Sequence, residues 1–354
     1  MEFIKPGVNV NFVGRRYIAF TVSGLLILAT IISLIVHGGP NYGIDFAGGI
    51  MVQVKFAKPT DAGAIKKAIA GLNIGSPTVQ RFGQKGSDEF LIRVERTGDS
   101  DLNKLRTDIE GALGSHFGKN AVDVRRVEVV GPKVGKDLRQ KALFAIFYAI
   151  LLIVIYISGR FELKWMMSII VAAALMAVVY IVSILGLSVT VLILAALLIT
   201  LALCWFLKLK YALGAILALI HDVTITVGAF SLTGKEITLP IVAALLTIVG
   251  YSLNDTIIVF DRIRENLRKA RRKDMAETMN ASINQTLSRT ILTSGTTLIV
   301  VVVLFLMGGG VIHDFAFALL VGIVVGTYSS IYVASPILLV WQERFENVGK
   351  RKGR

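Results

Sequence analysis

Residues 250–262 read GYSLNDTIIVFDR and close an apolar run that begins near Ile237. That run places Asn254 and Asp255 where lipid is expected. A carboxylate at membrane depth costs about 2.5–3.5 kcal/mol on insertion scales, so it is expected to face a protein interior or a wet cavity and to serve a function. The basic candidate partner is Arg289, which opens the next apolar run, ILTSGTTLIVVVVLFLM. Ser252 and Asp255 share one helix face, and Arg289, Thr293 and Thr296 share another at i, i+4, i+7. Asp255 lies about 9 Å of helix rise inside Asp261. Arg289 starts its helix from the same side, so antiparallel neighbours bring the two within reach. Two readings stand: a static ion pair that fixes helix register, or a carboxylate whose protonation depends on how near the arginine is. A second pair, His221 and Asp222, lies deeper, about 16–18 Å along its helix from Lys210. It either extends a polar path through Ser252, Asn254 and Thr293 or is hydrogen-bonded between helices.

Other chemistries find little footing. GSHFGKN (114–120) and GPKVGKD (131–137) each hold a Gly-Lys, but lack the spacing and hydroxyl of a phosphate-binding loop. The four histidines, at 37, 116, 221 and 313, show no metal-ligand spacing. No cofactor is expected, and no Ser/His/Asp order suggests a hydrolase, so the chain reads as a non-enzyme. The single cysteine, Cys204, excludes an intramolecular disulfide.

These polar groups must be held by membrane helices. Of 354 residues 54% are hydrophobic and 18% charged. Apolar runs long enough to span a bilayer recur, so the chain reads as a polytopic membrane protein. The net charge of +14 raises nucleic acid as a partner. The bases lie beside apolar segments, however, and topology accounts for them better. The first run, Tyr17–Val36, follows Arg15 and Arg16. It is read as an uncleaved anchor, because about 20 residues exceeds a signal-peptide core and no small-residue cleavage site follows.

After HGGPNYGIDFAGG (37–49), about ninety residues look like a solvated domain. Strands are expected at 51–56, 78–82, 89–95 and 122–130, with helices at 61–72 and 101–117. The order β-α-β-β-α-β is that of a ferredoxin-like α+β domain. Membrane segments follow at 140–158, 165–185, 188–207, 211–232, 237–260, 290–308 and 315–341, making eight with the first. Gly322 and Gly326 in the last form a helix-packing G-x-x-x-G pair. Arg160, Lys164, Lys208 and Lys210 fall on one side. The 261–289 loop, also there, carries eight bases against four acids, and the tail ends KRKGR. The positive-inside rule puts both termini in the cytoplasm and the domain outside. The expected layout is a cytoplasmic N-terminus (1–16), first helix (17–36), external domain (37–139), membrane bundle (140–341) and basic tail (342–354). FELKWMMSII (161–170) and LKLKYALGAI (207–216) align at an offset of 46 residues. Either a helix pair was duplicated, or each helix starts with a base and an aromatic because of its orientation.

NYGIDFAGG after the first segment, IHDV (220–223), VGYSLNDTIIVFDRIREN (249–266) and SRTILTSGTTL (288–298) resemble the SecF family of bacterial protein translocase subunits. The resemblance implies a partner, SecD, in a complex beside the SecYEG channel with YidC and YajC. The pair is similar to proton-driven exporters of the resistance-nodulation-division type. It implies use of the proton-motive force to finish secretion of unfolded polypeptide across the bacterial inner membrane, with the domain in the periplasm. By motif position the family's intramembrane aspartate falls on Asp255 and its arginine on Arg289. Tyr42, Gly43, Ile44, Asp45, Phe46, Gly48 and Gly49 match its motif after the first helix. The departure is helix count: six is usual for the family, and the extra pair falls at about 162–207. Two other functions stay open, a small-molecule proton antiporter of related fold and a translocon scaffold that moves no ions.

Overall fold

The computed structural model describes residues 9–72, 77–82, 88–94, 102–118, 121–162, 189–269 and 274–346, with isolated positions between 166 and 177. The expected segment 165–185, most of the basic tail and residues 1–8 lie largely or wholly outside them.

The chain enters on a 21-residue helix, α1 (Arg16–Val36), then makes one short turn of helix, α2 (Ile44–Ala47). A small domain follows: β1 (Gly49–Phe56), α3 (Ala62–Ile69), β2 (Thr78–Phe82), β3 (Glu89–Val94), α4 (Leu102–Phe117) and β4 (Val122–Val130). The sheet order is β2-β3-β1-β4, every pair antiparallel. Asp61 caps α3 by accepting the Ala64 N–H at 2.9 Å, which satisfies one of the free donors of its first turn. Strand alternation turns Ile50, Val52, Val54 and Phe56 inward against Ile65, Ile69, Ile109 and Leu113 from the two helices. Fully burying each such side chain contributes about 1.5–3 kcal/mol, so this face is what holds the domain together.

The rest is a helical bundle: α5 (Pro132–Glu162), α6 (Val189–Phe206), α7 (Lys210–Leu232), α8 (Leu239–Lys269), α9 (Met275–Met307), α10 (Gly310–Ser329) and α11 (Ser335–Trp341). A single π turn, Ser330–Ala334, joins the last two, and the Ser335 hydroxyl donates to the Ser330 carbonyl at 2.9 Å. Among the described residues six helical stretches are long and apolar enough to cross a membrane: Val13–Val36, Pro132–Glu162, Lys210–Leu232, Leu239–Lys269, Met275–Met307 and Gly310–Arg344. This is a membrane protein.

Most of the 261–289 segment is helix and not loop. α8 continues to Lys269 and α9 starts at Met275. The two charged extensions are tied by the Asn266 amide, which donates to Ser282 and Gln285 at 2.9 Å each. Glu265 pairs with both Arg262 and Lys269 along the helix. Both extensions keep an apolar stripe, with Ile263, Met279 and Ile283 buried in the core, but the charges on their other faces lower the mean hydropathy and end the apolar run too early.

α7 is the axis of the bundle. It packs on α1, α5, α6, α8 and α10. Gly228 lets α1 approach, since a Cβ there would overlap Thr30. On α10, a Cβ at Gly322 would strike Ile248, and one at Gly326 would sit 2.9 Å from the Cβ of Ser252. α8 and α10 therefore cross at nearly backbone contact, beside the polar residues of α8.

Candidate functional site

Because α7 is enclosed on most sides, two adjacent residues 100° apart both point into protein. His221 is 4% exposed and Asp222 0%. The Asp222 carboxylate is fully engaged. Its Oδ1 lies 2.8 Å from His221 Nδ1, and its Oδ2 accepts from Ser252 on α8 at 2.5 Å and Ser329 on α10 at 2.8 Å. The other ring nitrogen of His221, Nε2, lies 3.0 Å from Ser23 on α1, and the ring stacks on Tyr328. Ser23 also reaches the Tyr328 hydroxyl at 3.3 Å, and that hydroxyl donates to the Ala19 carbonyl at 2.7 Å. The Ser23 proton thus has two takers. Four helices meet at this knot.

Asp255 is different. It is 1% exposed, yet among the described residues its side chain has one hydrogen bond, from Ser294 on α9 to Oδ2 at 3.1 Å. Thr327 on α10 donates to Ser294 at 2.8 Å, so hydroxyls from two helices back the carboxylate. One turn from Ser294, the buried Thr290 hydroxyl has no partner among the described residues. Ser252, i−3 from Asp255 on α8, faces the Asp222 knot, so the two carboxylates flank one crossing. A buried carboxylate with a single donor keeps capacity to gain a proton or a new partner; one with three donors does not.

Arg289 forms no ion pair with Asp255 in this conformation. Among the described residues its guanidinium forms no ion pair, and the residue is exposed on the bundle surface. The reason is helical phase. Ser294 is five residues on, about 140° round the helix, so turning Ser294 to α8 turns Arg289 away. The static pair is absent from this conformation. The expected stripe lies on that outer side, with Thr296 exposed and Thr293 half-buried, its hydroxyl donating to the Arg289 carbonyl at 3.0 Å. Asn254 is exposed too. Of the expected polar path, the structure gathers Ser252, His221 and Asp222 and leaves out Asn254 and Thr293. Sequence reasoning overlooked Ser23, Thr327, Tyr328 and Ser329 as site residues. The only sequence signal was hydroxyls in otherwise apolar runs.

Two family descriptions match the chain: "Protein export membrane protein SecD/SecF, C-terminal" over residues 111–202 and 187–344, and "SecD/SecF GG Motif" over residues 33–60. A protein translocase subunit SecF from Magnetococcus marinus is 43% identical over 96% of this chain and 94% of its own length. One from Escherichia coli O157:H7 is 36% identical over 99% of this chain and 94% of its own. Among solved structures, that of SecDF from Thermus thermophilus, a translocon-associated membrane protein, superposes with a TM-score of 0.71 at 31% identity. That match takes in 96% of this chain but 39% of the SecDF polypeptide, so this chain spans about two fifths of it. With whole-length relatives this similar and the matched motifs lying on the elements described above, the chain belongs to the SecF family of protein translocase subunits.

Proposed function

We propose that this chain is an auxiliary subunit of the Sec translocase that, with SecD, uses the proton-motive force to promote late stages of export through SecYEG. The observation that carries the proposal is Asp255: buried, on a continuous helix, and held by one hydroxyl. It is the proton carrier, and Arg289 is the counter-charge that reaches it in another conformation. The Asp222 knot holds the helices in register around it. No bond chemistry is assigned to the chain. The scaffold alternative lacks a reason for the spare capacity at Asp255. Reconstituted with SecD and SecYEG in vesicles, and with ATP withdrawn once a substrate has entered, an imposed proton gradient is expected to complete export only when the chain is present. Equal completion without it would leave a bystander.

The membrane is the bacterial inner membrane, with both termini cytoplasmic and the domain periplasmic. The charged extensions of α8 and α9 support this orientation. The β-α-β-β-α-β order with strands arranged β2-β3-β1-β4 supports a ferredoxin-like reading of the domain. The eight-helix count rests on α6, whose 18 residues span about 27 Å. The two stretches of the family match also overlap over 187–202, where α6 lies. In a Cys204→Ala background, Ser115→Cys is expected to label only from the periplasm and Ala281→Cys only from the cytoplasm. Reporter fusions after Gly186 and Lys208 are expected on opposite sides. Labelling of Ser115→Cys from the cytoplasm would invert the topology, and fusions on one side would reduce the count to six.

A further inference from the structure

The residues between α1 and β1 do more than connect. Asn41 and Gly43 pair in parallel with the residue preceding α8's first turn. The Gly43 N–H donates to the Ile237 carbonyl at 2.8 Å, and the Ile237 N–H donates to the Asn41 carbonyl at 2.7 Å. A Cβ at Gly43 would lie 2.6 Å from the Thr238 side chain, so the close pairing needs glycine. Asp45 Oδ2 then accepts the Leu239 N–H at 2.9 Å. That donor is the first of α8 and has no partner within the helix, and a carboxylate beside it also complements the helix dipole. Phe46, 5% exposed, is buried among Phe230, Ile241 and Leu245 of the bundle. Gly48 has φ +75°, and a Cβ there would lie 2.9 Å from the Cα of Pro132, which opens α5. Gly49 begins β1, an inner strand of the sheet. From β3, Arg93 donates to the Tyr42 carbonyl at 3.2 Å and pairs with Glu236.

The domain's central strand is therefore bolted to the first turn of the helix that carries Asp255. The distance along α8 from Leu239 to Asp255 is about 24 Å, with no break in the helix. We propose that residues 42–49 are a strut that makes the external domain and α8 move as one body, with Asp45 the positioning residue that fixes the helix end. Its use in export rests on the reading of Asp255 above; the mechanical link does not.

The link is tested on the full chain with its SecD partner in nanodiscs, with spin labels at Ser115→Cys on α4 and Ala243→Cys on α8, in the Cys204→Ala background. The parent and Asp45→Asn are expected to give one narrow distance distribution, because an asparagine oxygen still accepts the Leu239 N–H. Asp45→Ala is expected to raise the population of detached, longer-distance conformers about fivefold, the factor corresponding to a lost helix cap. Export should fall with it and be restored in Asp45→Asn. Gly43→Ala, which presses on Thr238 without altering charge, is expected to broaden the distribution in the same way. An unchanged distribution in both Asp45→Ala and Gly43→Ala would overturn the strut, even where Asp255→Asn abolishes proton-driven export. If instead Asp45→Ala broadens the distribution while Asp255→Asn exports normally, the strut stands and the proton reading fails.

Discussion

Asp255→Asn is expected to assemble with its partner at parental levels and to lose the acceleration of export by a proton gradient. The amide keeps the size of the carboxylate and can still accept from Ser294, so the crossing of α8 and α9 is preserved. What it cannot do is titrate. One proton crossing about 150 mV releases roughly 3.5 kcal/mol from the electrical term. At about 1.4 kcal/mol per factor of ten, that biases a two-state rearrangement several-hundred-fold. A buried carboxylate without a counter-charge takes up a proton more readily than one beside a guanidinium. In the conformation described, Arg289 is exposed and not ion-paired with Asp255, which leans on one hydroxyl. A rotation of α9 that carried Arg289 inward would set its charge beside the carboxylate and favour the ionised form. Arg289→Met is therefore expected to lose gradient-driven export as well. The measurement is export rate against imposed potential in vesicles. A rate for Asp255→Asn equal to the parent at every potential would make the carboxylate structural.

The larger effect on stability is expected one helix away. Asp222→Ala removes the acceptor shared by His221, Ser252 and Ser329 and strands three buried donors from three helices. Each buried polar group left without its partner costs about 1–3 kcal/mol. The variant should lose cooperative unfolding in detergent or fail to accumulate, whereas Asp255→Asn melts like the parent. An Asp222→Ala protein with an unchanged Tm would show that the knot is not what joins these helices.

Strands 78–82 and 122–130 were legible to the residue, because alternation over a half-buried sheet is a strong local signal. The membrane runs were legible as runs, but their ends were not. Hydropathy stops where charges start, while α8 and α9 continue as charged helices to Lys269 and from Met275. Asp255 stood out because a carboxylate in an apolar run is costly. Its neighbour did not. Ser294 looks like any small residue in a membrane helix, and only the rotational phase of α9 decides whether it or Arg289 meets α8. Asp222 lacked a basic partner in sequence because its partners are an adjacent histidine and hydroxyls, one 30 residues away and one 107.

The π turn at Ser330–Ala334 bears on how this stretch tolerates a change of length. It holds one residue more than the α-helix on either side requires, and an insertion of one residue turns everything beyond it by about 100°. Upstream, Ser329 and Thr327 serve the two carboxylates; downstream, Trp341 packs edge-on against Trp205 with ring centroids 4.8 Å apart. Loss of a residue here would let the helix run straight, keep Ser329 on Asp222 and swing Trp341 off Trp205. In this stretch a change of chain length is thus absorbed as rotation, and a variant lacking one residue of the turn would present a different face of α11 to its surroundings.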